Sequence, residues 1–197
     1  MRAELAGGEE GVVVVRAPRV IVENAQDGEE QGLSGSIAYI HSHGPELKNC
    51  VASVNTGIGA GAPQGWIVRG NNELKKSLQP LSEMLVGLGG DGLKSEVRFE
   101  ELTDWESSFL AGIPTIDLWL DLSSYWDIHK KSGDTFDKVD SRNLAVASVI
   151  VATTTYWIAD QRTITMPQLD QNAIDTILKN ADVYDRIKDL KELGIFP

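Results

Sequence analysis

Glu29 and Glu30 stand side by side in Gly28-Glu29-Glu30-Gln31-Gly32-Leu33-Ser34-Gly35-Ser36, where a β-branched run hands over to a predicted helix. Two adjacent carboxylates at a strand end can point in different directions. One can bind a metal ion while the other takes a proton from metal-bound water. The flanking glycines allow the tight turn and close packing that such a junction needs. A bare Glu-Glu pair is also an ordinary solvated surface feature, so its company decides how it is read. His129 is a candidate metal ligand or a plain loop histidine. His41 and His43 sit two apart on a predicted helix, face different ways and cannot chelate together; they read as surface residues.

The elements that must position these groups follow from local pattern. Residues 12–15 and 19–22 are β-branched runs split by Pro18, and each predicts a strand. A loop at 26–28 precedes a helix that opens at Gly32–Ser36 and runs to about His43. Strands are expected at about 49–55, 65–69, 95–99 and 113–120, with a glycine-rich loop at 57–63. Leu74, Leu78, Leu81, Leu85 and Leu88 recur at three or four residues and predict one helix over 72–88, ended by Gly89-Gly90-Asp91-Gly92. A helical turn is expected at 104–111, with Asp104 as a helix cap or as a support to the pocket. Residues 123–140 predict a long loop of the kind that often carries function. Asp140 or Ser141 caps a buried helix to about Asp160; Pro167 starts a second helix, and 183–193 form a third. Strands and helices in alternation argue for an α/β domain, a mixed and largely parallel twisted sheet with helices on both faces. The organisation expected is a divergent N-terminal segment over 1–27, a main domain over 28–160 and a C-terminal helical extension over 161–197.

Composition removes several classes of function. The 197 residues carry a formal net charge of -11 and no Lys- and Arg-rich stretch, which argues against a nucleic-acid partner. The longest apolar run, 144–159, contains Ser148 and three threonines and is shorter than the ~20 residues of a membrane span, so no membrane role is expected. The N-terminus lacks a positive region followed by an apolar core, so no secretory signal is expected and a cytoplasmic location is the default. Cys50 is the only cysteine, which excludes an intramolecular disulfide and a cysteine-based zinc site; it reads as a buried strand thiol.

Three ordered segments give the Glu-Glu pair its company. The stretch Gly28–Ser36 continues through Ala38-Tyr39 to His43, Ala111-Gly112-Ile113-Pro114 follows, and then Gly133-Asp134-Thr135-Phe136-Asp137-Lys138-Val139-Asp140. Together they resemble metallopeptidase family twenty-eight, the co-catalytic zinc aminopeptidases and their carboxypeptidase Q-like branch. The resemblance implies a zinc exopeptidase-like fold, zinc as cofactor, a peptide substrate or peptide-like ligand, and hydrolysis by metal-activated water. It implies Glu29 as the general base and Glu30 as a zinc ligand, and it implies relatives that are often secreted or lysosomal.

The same resemblance exposes departures. The family's His-x-Asp ligands precede the Glu-Glu pair, and residues 1–27 hold no histidine, so the domain is expected to be truncated on that side. The position of a later ligating Asp falls on Gly57. The late histidine falls on Lys130, with His129 one residue earlier and able to serve only if the loop shifts by one. The expectation is a degenerate or inactive zinc exopeptidase with Glu30 and His129 as its remaining metal ligands. The alternative is a non-catalytic peptidase homologue that acts as a binding or interaction module. Uncovered apolar surface also makes self-association an expectation.

Overall fold

The computed structural model describes residues 32–98, 103–161 and 167–192, and the backbone of 2–6, 12–16 and 20–24. Strands β1 (Arg2–Ala6) and β2 (Val12–Arg16) form an antiparallel pair in register Arg2 to Arg16. A second sheet holds β3 (Val20–Asn24), β4 (Cys50–Asn55), β5 (Pro63–Val68), β6 (Gly92–Ser95) and β7 (Thr115–Leu120). Its spatial order is β3-β4-β7-β5-β6; β3, β4 and β7 run parallel, β7 and β5 are antiparallel, and β5 and β6 are parallel. The expected α/β class and mixed sheet are therefore what the chain forms.

Side-chain alternation divides the core between the two faces of this sheet. One face presents Ala52, Val54, Trp66, Val68, Ile116, Leu118 and Leu120, all buried. Helices α2 (Asn72–Ser77), α3 (Gln79–Met84) and α6 (Ser141–Asp160) cover it, through Leu74, Leu78, Leu81, Ile150 and Ile158. The other face is polar. Ser53 on β4 donates to Ser108 at 3.1 Å, and Asn55 donates to the Ile116 carbonyl at 3.1 Å. It is covered by α4 (Trp105–Leu110), every residue of which is buried. Helix α1 (Ser34–Leu47) lies against α4, with the Ser36 and Ser107 hydroxyls sharing a hydrogen bond at 3.1 Å. Helices α7 (Gln171–Asn180) and α8 (Tyr184–Glu192) close a second core with Leu33, Trp105 and Phe109, using Ile174, Leu178 and Ile187. A four-residue helix, α5 (Tyr125–Ile128), and a 3-10 turn at Phe136–Lys138 lie in the segment expected to be loop.

Four sequence expectations are corrected. The helix over 72–88 is three pieces, because Pro80 has no N–H to continue the ladder and Gln79 restarts it; a 3-10 turn at Val86–Leu88 ends it. The strand expected at 95–99 is β6, three residues earlier, paired to β5 through Gly92 opposite Gly65. These two glycines let the strands approach: a Cβ on Gly65, whose φ is 138°, would run into the Gly92 carbonyl. Pro167 does not open a helix; α7 begins at Gln171 behind Asp170, whose carboxylate accepts from the Ala173 N–H at 2.8 Å. Strand β1 was not expected at all.

Asp140 caps α6 as expected, accepting from the Asn143 N–H at 2.8 Å. Asp140→Ala removes the side-chain partner of one orphan N–H at the start of the longest helix. Chemical denaturation should show a loss of about 1 kcal/mol, while Asp140→Asn, which keeps an acceptor, should lose much less.

Candidate active site

The parallel strands β3, β4 and β7 all end at one edge of the sheet, the place where open α/β sheets hold ligands. The segment after β3 contains Glu29 and Glu30, which lie outside the described residues. The loop Thr56–Ala62 follows β4, and the loop Asp121–Val139 follows β7. These two loops are packed together by glycines. Gly59 has φ 79°, and a Cβ there would come within 2.8 Å of Leu122 and 3.5 Å of Tyr125. Gly61 lies against the Asp121 backbone, next to the hydrogen bond from Asp121 N–H to the Ala62 carbonyl at 2.8 Å. Glycine is required at both positions because the neighbouring loop occupies the side-chain space. Gly57 differs. Among the described residues a Cβ there meets only the Thr103 Cβ, at 3.9 Å, which leaves room for a side chain.

His129 closes α5 and is stacked on Tyr125, with ring centroids 4.5 Å apart and planes 28° apart. Trp126 meets it edge-on at 5.7 Å, and the His129 backbone N–H donates to the Tyr125 carbonyl at 2.9 Å. Lys130 follows in the left-handed conformation with φ 56°. Lys131 turns back and donates to the carbonyls of Trp126 and Asp127, both at 2.9 Å, which satisfies the end of the short helix. Among the described residues, no three His, Cys, Asp or Glu side chains are grouped to hold a metal ion.

Behind the two loops lies a buried ion pair that sequence reasoning missed. Arg69, just past β5, donates to Asp117 on β7 at 2.6 Å, and both are almost completely buried. The guanidinium lies 4.1 Å over the Trp105 ring. Burial pushes the Asp117 carboxyl above its ordinary value, while Arg69 and the backbone N–H groups of Gly57 and Leu118 pull it down. A cavity of about 170 Å³ opens beside the pair, lined by Ile58, Arg69, Lys94, Asp117 and Leu122. The available signal was Asp117 itself, the single charge in the covered strand Thr115-Ile116-Asp117-Leu118-Trp119-Leu120.

Other expected residues sort as follows. Cys50 is a buried thiol that donates weakly to the Ala52 carbonyl at 3.3 Å. Asp104 occupies the cap position of α4 but makes no side-chain cap hydrogen bond, which corrects the capping expectation. His41 is exposed, whereas His43 is half-buried and stacked on Tyr39 at 4.2 Å, a correction to its reading as a surface residue.

The model of peptidase family M28 matches residues 13–155, a span that includes β3, both loops and most of α6. The chain belongs to peptidase family M28. Carboxypeptidase Q of Xenopus laevis is 27% identical over 133 residues, covering 68% of this chain and 28% of the relative. Carboxypeptidase Q of Bos taurus is 29% identical over 139 residues, covering 67% and 27%. This M28 chain thus spans little more than a quarter of the curated relatives it matches. Among solved structures, a peptidase M28 precursor from Shewanella amazonensis superposes with a TM-score of 0.64 at 23% identity, over 74% of this chain and 33% of that one. A zinc aminopeptidase from Bacillus subtilis gives 0.52 at 18%, over 76% and 38%. Both establish the M28 fold. Among the described residues no helix is long and apolar enough to cross a membrane.

Removing one member of the Arg69–Asp117 pair strands a buried charge, whereas replacing both with apolar groups does not. Asp117→Asn should lower unfolding free energy by about 3–5 kcal/mol in urea titration. Arg69→Met with Asp117→Val should recover most of that loss. Additive losses in the double variant would show that the two side chains are not coupled.

Proposed function

We propose that this chain is a non-catalytic member of family M28 that keeps the peptide cleft and has given up the metal centre. The observation that carries the reading is the pair of residues at two positions where the resemblance calls for ligands. Gly57 stands for an aspartate and offers no side-chain atom. Lys130 stands for a histidine and carries a protonated ammonium that repels a metal cation. Catalytic zinc usually takes three protein ligands and keeps one open position. Neither Gly57 nor Lys130 supplies one of them. His129 is stacked on Tyr125, with its ring plane 28° from that of the tyrosine. The residues at these two positions do not fit a co-catalytic zinc pair.

What remains supports binding. Ile58 of the loop after β4 and Leu122 of the loop after β7 line the cavity beside the buried Arg69–Asp117 pair. The class of ligand this reading assigns is a peptide or a peptide-like molecule, held without cleavage. A second reading, favoured by family membership and by the retained Glu29-Glu30 pair, is a zinc exopeptidase with Glu29 as base and Glu30 and His129 as ligands.

Metal analysis after incubation with zinc and removal of free metal separates the two. The chain is expected to retain substoichiometric zinc and to leave dipeptide and aminoacyl reporter substrates uncleaved. Gly57→Asp with Lys130→His should gain zinc, since the space at Gly57 accepts a side chain. Near-stoichiometric zinc in the unmodified chain, lost in Glu30→Ala, would overturn the non-catalytic reading in favour of the enzyme.

A further inference from the structure

Helix α6 is 20 residues long, about 30 Å from end to end. The face formed by Ile150, Thr154 and Ile158 is buried on the sheet. The opposite face is built from Ala145, Ser148, Val149, Ala152 and Tyr156, all exposed, with Val149 at 49% and Tyr156 at 61% of their full accessibility. Leu144, also exposed at 49%, borders it, and a groove of about 560 Å³ runs beside it between Leu144, Ala152 and Tyr156 and the loop at Gly59–Gly61. In a chain with net charge -11 this is a long surface almost without charge: α6 carries only Arg142 near its start and Asp160 at its end. At 100° per residue Arg142 and Asp160 fall on the same edge of the exposed face.

We propose that this face is a homodimer interface, in which α6 of two copies packs antiparallel about a two-fold axis near residue 151. The argument is self-complementarity. An isologous contact needs one patch that matches itself after a half-turn. An axis near residue 151 brings Arg142 of each copy beside Asp160 of the other, along one edge, twice over. It seats Tyr156 of each copy over Ala145 of the other and leaves the small Ala152 at the crossing, where the two backbones come nearest. A second copy therefore meets opposite charge at both ends and a large side chain against a small one in between. Two parallel copies would instead leave each Arg142 and each Asp160 without an opposite charge at its own level. One helix face with its flanking groove is small beside the ~800 Å² per partner of a standard interface. The dimer is thus a reversible one that separates on dilution. This inference is independent of whether the cleft binds metal.

Sedimentation equilibrium of the full chain, from low to high micromolar, should show a monomer–dimer equilibrium. Ala152→Arg, a change at an exposed helical position, should leave the circular dichroism spectrum intact and abolish the dimer. Arg142→Asp and Asp160→Arg should each weaken the dimer about tenfold, because each turns two attractions into two repulsions. Together, in Arg142→Asp/Asp160→Arg, they should restore it. Both single changes favour the dipole of α6, so melting of the helix would not account for weaker association. A monomer at every concentration, a dimer indifferent to Ala152→Arg, or a double variant no better than the singles would overturn the proposal.

Discussion

Strand β7 is hydrogen-bonded on both edges and covered on both faces, and its third residue is an aspartate. Asp117 is almost fully buried, so a cation has to come to it. That constraint organises the polar half of the molecule. Arg69 leaves β5 at the point where its guanidinium reaches the carboxylate, and Trp105 lies under that guanidinium. Trp105 begins α4, and α4 can press fully against the sheet because its middle residues are serines small enough to bond Ser53 and Ser36 at close range. The backbone N–H of Gly57 also bears on Asp117, so the pair extends its influence into the loop after β4. A buried ion pair is weak evidence for stability, since desolvation offsets most of the attraction. Its clearer consequence is positional, because it fixes where β5, β7, α4 and one cleft loop sit relative to one another.

The loops at the strand ends are also held by close packing. Gly59 and Gly61 accept the neighbouring loop into the space where side chains would stand, and Tyr125, Trp126 and His129 form an aromatic cluster around the turn before Lys130. The loops meet through hydrogen bonds, ring stacking and backbone packing.

Much of the fold was legible because it rests on local pattern. Strands β2, β3, β4, β5 and β7 follow β-branched or alternating runs, and α6 follows an Asp cap and a long apolar stretch. The errors lie where a local rule met a stronger one. The leucine ladder over 72–88 was real, but Pro80 breaks the hydrogen bonds beneath it. Strand β6 was displaced because its pairing depends on Gly65 facing Gly92, a relation between residues 27 apart that no window of sequence contains. The site divides similarly. Gly57 and Lys130 could be named from an ordered resemblance, whereas the Arg69–Asp117 pair joins residues 48 apart and left only one local trace, a charge in a covered strand.

Helix α6 shows how structure adds information to a correct sequence reading. Apolar residues run round nearly its whole circumference, which is the pattern of a helix buried on all sides. In the fold only one side meets the sheet. The sequence pattern and the fold of a single chain therefore disagree by one helix face, and that face carries Val149, Ala152 and Tyr156. Scattered exposed apolar residues are common on any protein and call for no explanation. A strip from Leu144 to Tyr156, about 18 Å along one helix and flanked at its two ends by opposite charges, is a different object. It is a surface whose composition anticipates a neighbour, and the spacing of its charges specifies the direction in which that neighbour lies.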